Sequence, residues 1–222
     1  MVVILGLDGW YRFQDEALAV LGTAEVARAQ RQRDPRNRDA LVSTYALHRL
    51  LLSLLLECAP DGVDLRRDEK GCPRLPGDAW YTSLSHSAGH AAFAISMAGP
   101  VGVDLEPVDR ASDMETIAER VGHRDELDAL VGLAAAARGR ALLDLWVRKE
   151  ALLKAAGIGL ECEMETFTAP VDEPLPLPGE RFAGRDASLH MVDAGAGWAC
   201  AVACPPGTGV IRVLAAEPRP RR

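Results

Sequence analysis

Hydrophobic and polar positions alternate in several short runs of this chain, while two long stretches follow the helical period instead. The opening "VVILGLD" reads as a short strand. An arginine-rich segment leads into a long amphipathic helix over about 39–57, where Leu41, Tyr45, Leu47, Leu51 and Leu55 recur at helical spacing. "PDGVDL" ends that helix, and "DEKGCPRLPGD" is a Gly/Pro loop. "AWYTSLSHS" is an alternating strand that runs into a polar turn; "HAAFAISMA" and "VGVDLE" are the next two strands. Two helical segments fill about 113–137, and "RALLDLWVRKEALLKAAG" is a strong helix ending at Gly157, a residue suited to a C-cap. From about 163 the pattern predicts strands between Pro/Gly turns: "METFTAP", "ASLHMVDA", "GWACAVAC" and "GVIRVLAA". The "PRPRR" tail is expected to fray.

The order of elements repeats. "AGHAAFAIS" at 88–96 resembles "AGWACAVAC" at 196–204, and "ILGLD" at 4–8 resembles "PVGVD" at 100–104, each half having one leucine-rich helix between these landmarks. The pattern predicts an α+β fold made of two similar α+β halves, residues 1–100 and 101–222.

Composition narrows the classes. With 222 residues and 48% hydrophobic content, a proper core is affordable. The longest apolar stretch, "LHRLLLSLLLECA", is interrupted by His48, Arg49 and Glu57, and no leader-like pattern opens the chain, so a cytoplasmic protein with no membrane partner is expected. Five scattered cysteines without a C-x-x-C predict reduced thiols, with Cys200 and Cys204 packing on one side of a strand. A net charge of −7 opposes nucleic-acid binding. Against that acidic balance stands "RAQRQRDPRNR", residues 28–38, which is either a solvated helix face or a local site for phosphate.

The candidate chemistry lies in three motifs. Asp104 and Glu106 stand two residues apart at the end of an apolar strand, so both point to one face and repel each other. On the strong helix Trp146, Glu150 and Lys154 form one stripe at i, i+4 and i+8. The three carboxylates together form a set of hard oxygen ligands, and a divalent ion would remove the like-charge penalty: Mg²⁺ by preference, with Mn²⁺ also compatible. In "SLSHS", Ser85 and His86 sit at a strand-to-turn junction where they would hydrogen-bond a phosphate oxygen. The motif is not G-x-S-x-G, which argues against a serine hydrolase.

"SLSHS", "GVDLE" and "WVRKEALLKAAGIGL", in that order, resemble the 4′-phosphopantetheinyl transferases, more specifically the larger, surfactin-synthetase-activating type, a monomeric pseudodimer of two α+β halves. The resemblance covers residues 28–168 and implies transfer of 4′-phosphopantetheine from coenzyme A to a serine of an apo acyl or peptidyl carrier protein, Mg²⁺-dependent, with release of adenosine 3′,5′-bisphosphate. It implies Asp104, Glu106 and Glu150 as metal ligands, Glu150 also as base, Lys154 on the transferring phosphate, and His86 on the coenzyme A phosphates, with Ser85 beside it. Lys149 fits the motif without an assigned contact. Arg28, Arg31 and Arg36, with Thr44 on the following helix, are candidates for the 3′-phosphate of coenzyme A. Where the family often has Gly-Lys-Pro, this chain reads Gly-Cys-Pro with Cys72, and Lys70 is expected to supply the nucleotide contact. Carrier proteins of fatty acid, polyketide and nonribosomal peptide systems all remain open.

Two other readings compete. A Mg²⁺-dependent phosphohydrolase would release phosphate from a nucleotide or coenzyme A without a carrier protein. A degenerate, non-catalytic homologue would only bind carrier proteins, and the joint presence of the three carboxylates, His86 and Lys154 argues against it.

Overall fold

The alternating runs fold into two four-stranded sheets, each carrying one long helix. The computed structural model describes residues 1–68, 70–159, 162–208 and 213–215. The chain runs through β1 (Val2–Gly6), α1 (Gln14–Val20), α2 (Thr23–Gln30), α3 (Pro35–Leu56), the two-residue strands β2 (Arg66–Arg67) and β3 (Pro73–Arg74), β4 (Tyr81–Ser87) and β5 (His90–Ser96). Then follow β6 (Gly102–Pro107), α4 (Ala118–Val121), α5 (Arg124–Ala129), α6 (Ala135–Ala156), β7 (Pro174–Pro176), β8 (Asp186–Met191), β9 (Trp198–Cys204) and β10 (Val213–Ala215). The sheet orders are β10-β1-β5-β4 and β6-β9-β8-β7, and every pairing in them is antiparallel except β1 with β10.

Period-two patterning explains the layers. On the first sheet Val3, Leu5 and Phe93 pack with Leu47 of α3, while Val2, Ile4, Ala92 and Ala94 point the other way. On the second, Ala199, Ala201 and Ala203 meet Leu142, Leu145 and Leu152 of α6, and Cys200, Val202 and Cys204 point away from it. The faces turned from the helices share one apolar cluster with Val103 and Leu105, which joins the halves. Cys200 and Cys204 are buried free thiols within it, as their spacing predicted.

Helix boundaries follow local chemistry. Asp34 caps α3 by accepting from the Arg36 amide at 2.8 Å, and Pro35 occupies the first turn, so the helix starts earlier than the apolar period alone indicated. At 22 residues α3 is long and apolar enough by composition to cross a bilayer, which the expectation from "LHRLLLSLLLECA" did not allow; 61% of that window is buried inside the protein. Gly157 ends α6 at φ 70°, and its amide reaches back to the Leu153 carbonyl.

Three expectations are corrected. The segment over 113–137 does hold two helical segments, α4 and α5, but they do not fill it: both are short, α5 ends at Ala129, and α6 already begins at Ala135. "METFTAP" is not a strand: Met164–Thr166 is a single 3₁₀ turn, and the Met164 and Phe167 carbonyls accept from Lys149 Nζ instead of a neighbouring strand. Within "GVIRVLAA" only β10 is described, and it adds to the first half's sheet beside β1, so the division at residue 100 is crossed by the chain's end. The rest of that run and "PRPRR" lie outside the described residues. The repeat is real but its strand register differs from "ILGLD" on "PVGVD". Gly6 pairs with His90 and Pro107 with Trp198, so Val3 and Leu5 occupy the places of Asp104 and Glu106.

Candidate active site at the seam between the halves

β4 and β6 are edge strands of their sheets, and they lie against each other through side chains. The alternate serines of β4 make the seam: Ser83 Oγ accepts from the Val103 amide at 3.2 Å, Ser85 donates to Asp104 Oδ1 at 2.8 Å, and Ser87 donates to Glu106 Oε2 at 2.8 Å. Asp104 and Glu106 pair with Ala201 and Ala199, on the face that α6 covers. Gly102 lets the helix come close, because a Cβ there would sit 1.9 Å from the Ala151 carbonyl oxygen.

That close approach brings the stripe of α6 onto the carboxylates. Lys154 Nζ donates to Asp104 Oδ1 at 2.6 Å and to Ser85 Oγ at 3.0 Å. Arg110 pairs with Glu106 and lies 4.5 Å over the Trp146 ring, which accounts for a tryptophan on a stripe of charges. Burial pushes the Glu150 carboxyl up to about 7; Lys154 opposes the rise, while Asp104 and Glu106 add to it. Glu106 is also raised, by burial and then by the Asp104 charge.

Beside this cluster opens a cleft of about 320 Å³, lined by Glu150, Lys154, Ser85 and His86 together with Arg28, Arg67, Lys70, Cys72 and Arg74. Although exposed along the cleft, His86 has its imidazole pKa lowered, first by burial and then by the cations Lys154, Arg28 and Arg67. The Cys72 thiol is raised by burial and by Asp68. Gly71 adopts φ +82° and leaves room for the Arg28 guanidinium, which a Cβ would meet at 2.5 Å.

The candidate residues therefore divide. Asp104, Glu106, Glu150, Lys154 and Ser85 come together at the seam, and His86, Arg28 and Lys70 line the adjoining cleft. Arg31 and Arg36 are exposed and outside the lining; Thr44 is buried, its hydroxyl donating to the Ala40 carbonyl at 2.7 Å. Leu41 and Tyr45 present themselves from α3 instead. Ser85 spends its proton on Asp104. Arg67 and Arg74 were missed; for Arg67 the basic pair in "DLRRDE" was a usable signal.

The donor set suits a hard divalent cation. All its candidate ligands are carboxylates, and Asp104 Oδ2 is buried without a hydrogen-bond partner among the described residues. Among those residues no three His, Cys, Asp or Glu side chains are yet gathered into a ready site. Lys154 and Arg110 instead hold two of the carboxylates.

Comparison with known proteins places the chain in a family. The family model of the 4′-phosphopantetheinyl transferase superfamily matches residues 100–203. The 4′-phosphopantetheinyl transferase HetI of Nostoc is 32% identical over 173 residues, 75% of this chain and 72% of HetI. The chain belongs to the 4′-phosphopantetheinyl transferases. The transferase psf-1 of Bacillus pumilus is 35% identical over 98 residues, 43% of this chain and 40% of that protein. Synechocystis slr0495 is 28% identical over 146 residues, and the match takes in 64% of this chain but 59% of that protein. Among solved structures, Thermotoga maritima holo-(acyl-carrier-protein) synthase matches with 21% identity and a TM-score of 0.34, over 48% of this chain and 62% of that one. The transferase motifs lie on β4, β6 and α6, the three elements that meet at the seam.

Proposed function

We propose that this transferase moves 4′-phosphopantetheine from coenzyme A onto a serine of an apo acyl or peptidyl carrier protein, as a single chain acting in the cytoplasm. The observation that carries the reading is the arrangement at the seam. Three carboxylates and Lys154 stand at the edge of a cleft whose other lining is strongly cationic. A bound pyrophosphate needs positive charge along its length and a base at one end. In the transfer, the carrier serine oxygen attacks the phosphorus bearing the pantetheine arm. The bond to the bridging pyrophosphate oxygen breaks, and adenosine 3′,5′-bisphosphate leaves with that bond's electron pair.

Glu150 takes the serine proton, directly or through a water. Its raised pKa reflects a buried carboxylate able to hold a proton near neutrality. Lys154 neutralises charge on the transferring phosphoryl group, and His86 and Arg28 bind the remaining phosphates. Asp104, Glu106 and Glu150 would hold Mg²⁺, which supplies Lewis-acid neutralisation of the pyrophosphate when bound. Incubation with coenzyme A, Mg²⁺ and an apo carrier protein, read by intact mass, tests the proposal. A phosphopantetheinyl gain on the carrier is expected. Phosphate release without that gain would instead favour the phosphohydrolase.

A further inference from the structure

The cleft's cationic lining raises a problem of its own. Arg67 is only 8% exposed at its side chain, and burial lowers its pKa, with Arg28 acting in the same direction. A guanidinium in that position needs an internal counter-charge. It finds one in Glu25, whose side chain is 3% exposed. Glu25 Oε2 accepts from the Arg49 Nε at 2.5 Å and from the Gly22 amide at 3.1 Å, while Oε1 faces Arg67 at 3.4 Å. Arg49 does not compete for the cleft. Its other nitrogens donate to the carbonyls of Pro60, Val63 and Leu65, and it is absent from the lining. Arg67, by contrast, lines the cleft, stacks 4.0 Å over Tyr45 and donates to the Gly71 carbonyl at 3.1 Å.

We propose that Glu25 is a positioning residue for coenzyme A binding: anchored by Arg49, it holds the Arg67 guanidinium in the wall of the donor cleft. The inference rests on reading that cleft as the donor site. Among the described residues, one carboxylate is shared by two buried guanidiniums, which leaves a unit of positive charge uncompensated, and Arg28 adds another. An anionic donor supplies what is missing. Without Glu25 the same charges would push Arg67 outward, and the turn containing Gly71 would lose its tie to α2 and α3.

A double-mutant cycle on the full chain decides the matter, read by calorimetric titration of coenzyme A and by thermal melting of each variant. Glu25→Gln is expected to weaken coenzyme A binding about tenfold or more, the scale of a lost charged hydrogen bond. In steady state its KM for coenzyme A should rise while kcat at saturation stays within about threefold. In an Arg67→Met background the same change should have no further effect on binding. An equal effect in both backgrounds, or unchanged binding with Arg67 present, would overturn the proposal. Should Glu25→Gln fail to fold, Glu25→Asp decides: it keeps the charge beside Arg49 but falls short of Arg67, so unchanged coenzyme A binding would refute the role. If wild-type protein binds no coenzyme A, the donor-site reading itself fails, an outcome separate from loss of the coupling.

Discussion

At the residue scale, equivalent strand positions in the two halves carry opposite side-chain chemistry and serve different ends. Val3 and Leu5 occupy in the first half the positions of Asp104 and Glu106 in the second, and they simply pack against α3. The acidic pair was legible because two charges closing an apolar strand make no sense as core. The serines were harder to read. Ser85 suggested a phosphate donor, whereas the fold commits it to Asp104, because the meeting of two edge strands is not encoded in either strand alone. Glu150→Gln keeps the shape but removes the base and one candidate metal ligand, so kcat is expected to fall about 10²–10⁴-fold while metal-free coenzyme A binding is retained. Single-turnover transfer to an apo carrier, beside a calorimetric titration, measures both; transfer at the wild-type rate would remove Glu150 from the chemistry. Asp104→Asn leaves Lys154 facing a neutral amide, and metal-dependent transfer should drop at least as far. Circular dichroism should show a folded protein.

At the scale of elements, the motif's Lys149 is structural. It is fully buried, bound to Glu126 at 2.6 Å and to the carbonyls of Met164 and Phe167 at 2.8 and 2.6 Å. Glu126 in turn accepts from the amides of His123 and Ala169, at 2.9 and 2.7 Å. This one pair ties α5, α6 and the 164–169 segment together, and it diverted "METFTAP" from the strand its composition suggested. Side-chain capture of backbone carbonyls leaves no periodic signal, so sequence pattern could not reveal it. Lys149→Met strands the Glu126 carboxylate and is expected to cost about 3–5 kcal/mol of stability. Replacing Glu126 with Gln in the same protein should recover part of that loss. Urea midpoints of the three proteins test this, and a Lys149→Met midpoint equal to wild type would contradict it. Gly102→Ala meets the Ala151 carbonyl and should push α6 from β6, lowering both stability and transfer.

At the scale of the whole molecule, two α+β halves and their long helices were readable from period and repeat. The return of β10 to the first sheet was not, since a short apolar run carries no address. Also invisible in the sequence was the burial of His48 in the first half's core. It stacks on Phe93 with ring centroids 5.5 Å apart, and its Nε2 lies 2.6 Å from Thr82 Oγ1. The Thr82 hydroxyl donates onward to the Ala94 carbonyl at 3.2 Å, so Nε2 carries the proton and Nδ1 has no partner among the described residues. Arg67 and Arg49 are the charges that face it, and both disfavour an imidazolium. Burial, reinforced by those arginines, lowers the pKa from 6.5 to about 3. The unfolded chain therefore binds this proton before the folded one does, and stability falls as pH drops from 6.5 toward 3. Each unit within that window costs about 1.4 kcal/mol, so the residue accounts for a loss on the order of 4–5 kcal/mol between neutrality and the lower end. Carboxylates such as Asp104 also lose their partnerships in acid, so wild type alone does not isolate the histidine. His48→Leu removes only this titration. Its urea midpoint should sit well above that of wild type at pH 4, relative to the difference between them at pH 7.5, and parallel pH profiles for the two proteins would show that His48 takes no part in acid unfolding.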